Sequence, residues 1–411
     1  MSDASGVGRG LDGRRVVLGI CGGIAAYKAV EVCRRLVDAG AHVVPVMTAD
    51  ARRFVGEVTL SALASEPVQT SLWDEADPIP HTRLGREADV VVVAPATARL
   101  LGAYAGGLAD DLLTATLLAT RAPVVVCPAM HTEMWEHPAV GHNVGILAER
   151  GVHVVEPAVG RLAGGDEGRG RLADPADIVA AIEAALTPQD LVGRKIVVTA
   201  GGTREPIDAV RFVGNRSSGK QGHALAAEAA ARGASVTLVT TADRPVAAGV
   251  EVVAVQTAAE MQRAVMERAQ HADVVLMAAA VADFRPRRAT PHKLSKTDGV
   301  PDLVLEPTPD ILAGLARNRP DGQLLVGFAA ETGDLVARAS AKLTAKGLDL
   351  VVANDVSSPD AGFDHDTNRA VLVESDGSLT EVPLVDKRAL AGIVLDVVAR
   401  HLTQPTRRTT P

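Results

Sequence analysis

The chain has 411 residues, which at ~150 residues per domain allows two or three domains, each long enough to bury a real core. Lys and Arg number 42 against 50 Asp and Glu, a formal net charge of −8, which argues against a general nucleic-acid binder but permits local basic pockets for phosphates. Hydrophobic residues at 47% and charged residues at 22% exclude wholesale disorder.

In chain order, the strand candidates are Val16–Ile20, Val43–Met47, Val90–Ala94, Val124–Cys127, Ile196–Ala200, Val236–Thr240, Val274–Ala278, Leu324–Phe328 and Leu350–Ala353, with Ala-rich helical stretches between them. Aromatic residues are few, so Ala, Val, Leu and Gly must do the packing, a mix suited to Val-rich parallel strands under Ala-rich helices. The alternation predicts an α/β protein with two Rossmann-like domains and mostly parallel sheets. Arg14-Arg15 ahead of an apolar run raises a twin-arginine or signal-peptide reading. Gly19, Gly22 and Gly23 interrupt that run, and strand, glycine turn, helix is the plainer account. No stretch approaches the ~18–20 apolar residues that cross a bilayer. Cys21, Cys33 and Cys127 form neither a CxxC nor a disulfide framework, so a reducing, cytoplasmic setting without membrane contact is expected.

A coarse internal repeat is visible. RRVVLGICGGIAAYK, RRLVDAGAHVVPVMTAD and EADVVVVAPATA near the start correspond to RKIVVTAGGTREP, AEAAARGASVTLVTTAD and HADVVLMAAAVAD from Arg194 onward. Any two doubly wound domains share such a pattern, so common pattern and common origin both stay open. Either way the expected division is a tail over 1–13, a domain over 14–187, a linker over 188–193, a domain over 194–402 and a tail over 403–411.

Ligands of open α/β sheets sit beyond the carboxyl ends of the strands. After the first strand, Gly19 to Lys28 is rich in small residues, which let backbone N–H groups approach a phosphate at a helix N-terminus. The alternative is a merely tight turn. Ala94-Pro-Ala-Thr-Ala98 and Cys127-Pro-Ala-Met-His-Thr-Glu-Met-Trp135 follow the third and fourth strands; Met130, Met134 and Trp135 suit the floor of an apolar pocket for a flat ring, or plain core. His81 falls in a polar loop, either as an ordinary surface residue or as a general base. His131-Thr-Glu133 imitates the H-x-E of zinc deaminases, but no P-C-x-x-C follows and zinc is rejected. Arg161 to Arg171 is a Gly-rich run fit for a mobile lid.

These segments, in this order over the first half, resemble the homo-oligomeric flavin-containing cysteine decarboxylases. The resemblance implies FMN held by Gly22, Gly23, Ile24, Ala25, Thr48, Pro95, Ala96, Thr97 and Ala98, with substrate at Met130, His131, Met134, Trp135 and Asp166. It also implies His81 as the catalytic His, in a reaction where a C-terminal cysteine is oxidised, CO2 leaves and an enethiol remains. Two departures stand out. His131 occupies the place of the family's substrate-binding Asn, and Ala163-Gly-Gly-Asp166 lacks the flap Cys, with Gly164 in its place.

In the second half, Gly214-Asn-Arg-Ser-Ser-Gly-Lys220 fits GxxxxGK, but Gln221 follows where a P-loop needs Ser or Thr for Mg2+. The strand Ile196–Ala200 also ends too early for that motif. Ala280 to Arg285, Lys293-Leu-Ser-Lys296, Thr308-Pro-Asp-Ile311, Gly327 to Thr332, Lys342, Lys346 and Ala353-Asn-Asp355 follow. Lysines spread over separate loops are what a triphosphate needs, while Lys342 and Lys346, four apart, also fit a solvated helix face.

This set closely resembles phosphopantothenoylcysteine synthetase, its most telling string being Asn-x-Ser-Ser-Gly-Lys. The resemblance implies a ligase that uses CTP with Mg2+ and forms an acyl-cytidylate on 4′-phosphopantothenate before cysteine's amine attacks. Asn215 then polarises the acyl-cytidylate carbonyl and Lys293 stabilises charge at the α-phosphate. Asp283, Lys293, Thr308, Pro309, Asp310, Ile311, Phe328, Lys342 and Lys346 hold CTP. The family's Lys-x-Lys-Lys has lost one lysine here. The two families fused in this order resemble the bifunctional coenzyme A biosynthesis flavoproteins, which implies a product, 4′-phosphopantetheine, and a homo-oligomer, a dodecamer of decarboxylase trimers and ligase dimers. A two-domain NAD(P) oxidoreductase would need GxGxxG with an acidic residue ~20 positions on, and neither half has the glycine pattern. A flavin-storing protein that has lost decarboxylase chemistry is the other rival, kept open by Gly164 and His131.

Overall fold

A computed structural model describes residues 9–73, 78–295, 302–331, 334–355 and 365–403. Lys296, Thr332 and the outer parts of both expected tails lie outside these residues. The chain separates into two units, residues 1–188 and 189–411.

The first unit is built on five parallel strands, β1 (Arg15–Ile20), β2 (His42–Met47), β3 (Val90–Ala96), β4 (Val124–Pro128) and β5 (His153–Val154), in the order β2-β1-β3-β4-β5. Helices α1 (Ala26–Asp38), α2 (Glu57–Leu63), α3 (Pro80–Glu87), α4 (Ala98–Ala105), α5 (Leu112–Ala119), α6 (Thr132–Trp135), α7 (Pro138–Glu149) and α8 (Pro175–Leu186) accompany them. Because the strands are covered on both faces, they read as unbroken apolar runs. Val16, Leu18 and Ile20 of β1 enter one core and Val17 the other. Gly19 is required by packing, since a Cβ there would stand 2.5 Å from Leu113 Cδ1. Leu11, within the expected N-terminal tail, is fully buried in the first core. A β-hairpin, β6 (Ala158–Arg161) and β7 (Glu167–Arg171), pairs antiparallel outside the sheet.

In the second unit the main sheet has eight strands in the order β12-β11-β8-β13-β16-β17-β18-β19. Chain order gives β8 (Lys195–Ala200), β9 (Arg204–Pro206), β10 (Phe212–Gly214), β11 (Ser235–Thr240), β12 (Val250–Ala254), β13 (Val274–Met277), β14 (Phe284–Pro286), β15 (Leu305–Pro307), β16 (Leu324–Glu331), β17 (Leu350–Asp355), β18 (Thr367–Glu374) and β19 (Leu379–Asp386). The last two strands extend the parallel sheet antiparallel, and β9–β10 and β14–β15 form two small separate ribbons. The helices are α9 (Lys220–Ala231), α10 (Ala258–Ala269), α11 (Ile311–Arg317), α12 (Leu335–Lys346) and α13 (Lys387–Thr403). The nine strands expected from sequence all form, which bears out the α/β reading with mostly parallel sheets.

The sequence repeat has a physical counterpart. Asp89, just ahead of β3, accepts the Arg15 backbone N–H at 2.8 Å and binds the Arg14 guanidinium at 3.1 Å. Asp273, just ahead of β13, accepts the Lys195 N–H at 2.7 Å and binds Arg194 at 3.4 Å. Asp349 does the same ahead of β17, accepting from Leu325 N–H at 2.7 Å and from Arg319 at 2.5 Å. In each case a carboxylate ahead of one strand accepts a backbone N–H from the first or second residue of its neighbour.

Residues 189–193 belong to the second unit, where Leu191 is fully buried. Asp190 Oδ1 accepts from Arg232 Nε at 2.8 Å, and Asp396 Oδ1 accepts from Arg232 Nη1 at 2.7 Å. Arg232 is 2% exposed, whereas Asp190 and Asp396 are 37% and 67% exposed, so its loss removes packing and charge-assisted hydrogen bonds but leaves both carboxylates hydrated. Arg232→Met is expected to lower the stability of this unit by about 2 kcal/mol in urea unfolding, the scale of hydrogen bonds to a charged group. A change under about 0.5 kcal/mol, the range of an ordinary surface substitution, would contradict it.

Candidate active sites

In the first unit a cavity of about 800 Å³ opens over the carboxyl ends of β1 to β4, at the point where strand order reverses between β1 and β3. Gly22, Gly23, Ile24 and Ala25 line it from the turn into α1. That helix starts without a side-chain cap, leaving its N-terminal N–H groups for an anion. Gly22 cannot be replaced, because a Cβ there would lie 2.3 Å from Asp50 Cβ. Thr48, Thr97 and Ala98 complete this wall, with Thr97 capping α4 through Leu100 N–H. Pro95 and Ala96 are not in the lining; they are buried in β3 beneath it.

Met130, His131 and Met134 line the far side. Trp135 is not part of the lining, because it packs against the core. Asp166 is also outside the lining but reaches it through His131: Asp166 Oδ1 lies 3.2 Å from His131 Nε2, while His131 Nδ1 meets Glu133. The Glu133 hydrogen bond, reinforced by Asp166, raises the His131 pKa above its ordinary value.

The Gly-rich run expected to be a mobile lid is the β6–β7 hairpin, with Arg161, Leu162, Ala163, Gly170 and Arg171 in the cavity wall. Two of its glycines allow close approach, and Gly170 also holds a positive φ of 151°. A Cβ on Gly168 would stand 2.1 Å from Thr132 Oγ1, and one on Gly170 would stand 2.1 Å from the Met130 carbonyl oxygen. Met130 N–H donates to Gly170 O at 2.9 Å, tying hairpin to floor. Gly164 faces the His131 ring, since a Cβ there would be 3.4 Å from Nε2. Lys28 and Arg171 add two cations to the wall, and burial, followed by the Arg171 charge, pulls the Lys28 pKa down. Sequence reasoning passed over Arg171 because nothing in its immediate context distinguishes it from a surface arginine.

His81 is corrected in two respects. It stands in the first turn of α3 rather than in a loop, because Pro80 supplies a preset φ at the first helical position. It also lies outside the cavity lining, with its Nδ1 buried and unpartnered among the described residues.

The second unit carries a cavity of about 710 Å³ over the ends of β13, β16 and β17. Asn215, Asp283, Thr308, Pro309, Asp310, Ile311, Phe328, Lys342 and Lys346 all line it. Asn215 Nδ2 donates to Val281 O at 2.9 Å. Its loop can sit so close to β8 because Gly202 has no Cβ, which would otherwise meet Asn215 O at 2.4 Å. Thr308 Oγ1 donates to Ala282 O at 2.5 Å, fastening the loop that begins α11. Lys342 Nζ donates to Phe328 O at 2.7 Å and Lys346 pairs with Asp310, so both point inward from α12 rather than forming a solvated face. Lys293 is not brought in: it is exposed and outside the lining.

The GxxxxGK lookalike is no P-loop. Its strand, β10, pairs antiparallel with β9 outside the main sheet, and Lys220 Nζ binds Asp366 at 2.7 Å. Gly219 supplies the left-handed turn (φ 74°) that starts α9 and aims that helix's N-terminus at the cavity. Asn368 and Lys387, both buried, also line the cavity and were missed. They come from the antiparallel extension and α13, with no motif around them. Among the described residues no group of three or more His, Cys, Asp or Glu gathers to hold a metal.

The flavoprotein family model matches residues 5–187. That of the DNA/pantothenate metabolism flavoprotein C-terminal domain matches residues 191–402. The chain is 50% identical over 406 residues to the coenzyme A biosynthesis bifunctional protein CoaBC of Mycobacterium tuberculosis, covering 95% of this chain and 97% of that one. Its identity to the protein of the same name from Bacillus subtilis is 44%, covering 97% and 100%. A crystal structure of the C-terminal domain of coenzyme A biosynthesis bifunctional protein CoaBC is 38% identical, covers 52% of this chain and 98% of that one, and superposes with a TM-score of 0.45.

Proposed function

The chain belongs to the family of bifunctional coenzyme A biosynthesis proteins, and on that footing we propose how its residues share the work. Its first unit is the family's flavoprotein, a phosphopantothenoylcysteine decarboxylase, and its second is the ligase. The ligase joins cysteine to 4′-phosphopantothenate at the expense of CTP, through an acyl-cytidylate. The decarboxylase, with FMN, then converts phosphopantothenoylcysteine to 4′-phosphopantetheine.

The observation that carries this reading is that Asn215, Thr308–Ile311, Phe328, Lys342 and Lys346, distant in sequence, line one cavity. Lys342, Lys346 and the N-terminus of α9 supply positive potential for a triphosphate. Asp283 and residues 308–311 hold the nucleoside, Asn215 turns its amide N–H toward the acyl carbonyl, and Lys293 steadies charge at the α-phosphate. Mg2+ comes with the nucleotide, held mainly by phosphate oxygens and water, in keeping with the absence of a metal cluster among the described residues.

The first cavity fits a flavin nucleotide: an uncapped helix start beside Gly22 and Gly23 for the phosphate, and Met130, Met134 and Leu162 as apolar walls for the ring. When bound, the flavin supplies the two-electron couple for decarboxylation. His81 is the base that takes a proton from substrate, and Trp135 and Asp166 keep Met134 and His131 in place around it. His131, charged, keeps its bond to Glu133 and exchanges Asp166 for the substrate carboxylate at Nε2. Because its pKa is raised, that grip is present at low pH and lost as pH rises through the raised value, above the ordinary ~6.5. His131→Ala is expected to raise KM by roughly tenfold, the scale of one charge-assisted hydrogen bond, and to flatten that pH dependence. An unchanged KM–pH profile would refute the role.

Exposed Ile24, Tyr27 and Met134 at the first cavity, and exposed Phe212, Phe284 and Leu305 on the ribbons of the second unit, support association of copies; we propose decarboxylase trimers and ligase dimers. No helix among the described residues is long and apolar enough to cross a membrane, and we assign the work to the cytoplasm, on small molecules rather than nucleic acid.

The test gives the purified protein 4′-phosphopantothenate, cysteine and CTP with Mg2+, and follows CMP, pyrophosphate and CO2. Equal turnover with ATP overturns the nucleotide assignment. Protein without flavin absorbance that releases no CO2 overturns the first half.

A further inference from the structure

We infer that Asp208 is a positioning residue that sets Lys293 relative to Asn215, an inference that rests on the ligase roles just proposed for those two residues. Asp208 sits in the turn joining β9 to β10, and its side chain is fully buried. Oδ1 accepts the backbone N–H groups of Val210 and Arg211, both at 2.7 Å, which shapes the turn itself. Oδ2 reaches across the chain and accepts the Leu294 N–H at 3.2 Å. Arg211 completes the clamp, with Nη1 3.3 Å from Asp208 Oδ2 and Nη2 donating to Leu294 O at 3.3 Å. Both backbone groups of Leu294 are therefore held by one carboxylate–guanidinium pair. A second tie lies four residues earlier, where Thr290 N–H donates to Ile207 O at 3.0 Å.

Lys293 is the residue immediately before Leu294 and is exposed. Its neighbour is anchored, so its backbone position is set while its long side chain stands in solvent. At the other end of the clamp, Arg211 leads into β10 (Phe212–Gly214) and then directly to Asn215. The same carboxylate thus joins the Lys293 segment to the ribbon that delivers Asn215 to the cavity mouth. A buried carboxylate is costly to desolvate, and apolar packing would hold a turn as well. A carboxylate with several donors specifies geometry, which apolar contacts do not. The sequence offers no clue to this link, because 208 and 294 are far apart and Asp is an ordinary turn residue.

The test compares Asp208→Asn, Lys293→Gln and the double variant in the full chain, measuring kcat and KM for CTP by CMP release. Asparagine keeps the shape but turns an NH2 group toward donors that need an acceptor. Asp208→Asn is expected to lower kcat about thirtyfold, within the range for a displaced catalytic group, with KM for CTP unchanged within about twofold. Lys293→Gln is expected to lose about a hundredfold, and the double variant no more than Lys293→Gln alone, since Asp208 acts through Lys293. A purely structural Asp208 would instead lower the unfolding midpoint and multiply with Lys293→Gln, which overturns the inference, as does an unaffected kcat in Asp208→Asn. Should that variant fail to fold, Leu294→Pro removes the N–H that Oδ2 accepts and leaves the β9–β10 turn intact. The same loss and the same non-additivity are expected of it, and wild-type turnover overturns the inference. Lys293→Gln with full turnover overturns the ligase role of Lys293 itself and the inference with it, whereas a slow Lys293→Gln beside a normal Asp208→Asn removes the inference alone.

Discussion

Asn215→Ala is expected to cut CMP formation from CTP, 4′-phosphopantothenate and cysteine by about 10²–10³-fold, the cost of losing one preorganised donor to a developing oxyanion. CO2 release from supplied phosphopantothenoylcysteine should stay at the wild-type rate. The reason lies in how the amide is held. One N–H of Nδ2 is committed to Val281 O at 2.9 Å, which fixes the amide plane and points the second N–H in one direction. That donor costs nothing to orient when charge appears on the acyl oxygen. Alanine removes it, leaves the Val281 carbonyl without its partner and empties the side-chain volume; Asn215→Asp, which keeps the size but supplies no donor at neutral pH, separates loss of the donors from loss of volume. It should be as slow as Asn215→Ala. KM for CTP should change little, because Lys342, Lys346 and the α9 N-terminus remain. Turnover of both variants within about threefold of wild type would remove Asn215 from the chemistry.

His81→Asn is the second large effect. Decarboxylation is expected to fall by about 10²–10⁴-fold, the usual contribution of a positioned general base, with CMP formation untouched. Flavin absorbance should survive, because His81 lies outside the cavity lining of its own chain. That placement makes a sharper test available. We propose that in the trimer His81 would serve a neighbouring copy's cavity; mixed trimers of His81→Asn with a flavin-free variant such as Gly22→Val should then recover decarboxylation that neither parent has. Valine at 22 is a sound disruptor, since even its Cβ would lie 2.3 Å from Asp50 Cβ. Mixed trimers as inactive as their parents would confine His81 to its own chain, and undiminished CO2 release by His81→Asn would dismiss it as the base.

Much of the fold was legible because its signals are local. Val-rich runs of five or six residues separated by Ala-rich helices specify parallel strands covered on both faces, and Ala-Asp-Val-Val marked two of the three aspartates that pin neighbouring strands. Some strands escaped notice because their signal is weak. The ribbons β9–β10 and β14–β15 have three residues per strand, too few for a period, and in β18 and β19 polar residues fall on both alternating faces, so neither an apolar run nor a clean alternation appears. Gly168 and Gly170 lie against Thr132 and Met130, close approaches that a glycine-rich run does not reveal by itself. His81 was put in a loop because the weight of Pro80 as a helix starter was underestimated.

By itself the amino-acid sequence determined the two α/β units and the loops at their strand ends, since strand periodicity and glycine turns are properties of neighbouring residues, and strings such as Asn-x-Ser-Ser-Gly-Lys carried the resemblance that implied the two chemistries. Tertiary structure alone decided which side chains meet. It turned Lys342 and Lys346 inward, brought Asn368 and Lys387 to the second cavity, set His131 between Glu133 and Asp166, and joined Asp208 to Leu294. The physical reason is that burial and the pairing of charges depend on packing between segments remote along the chain, and no local pattern encodes the partner.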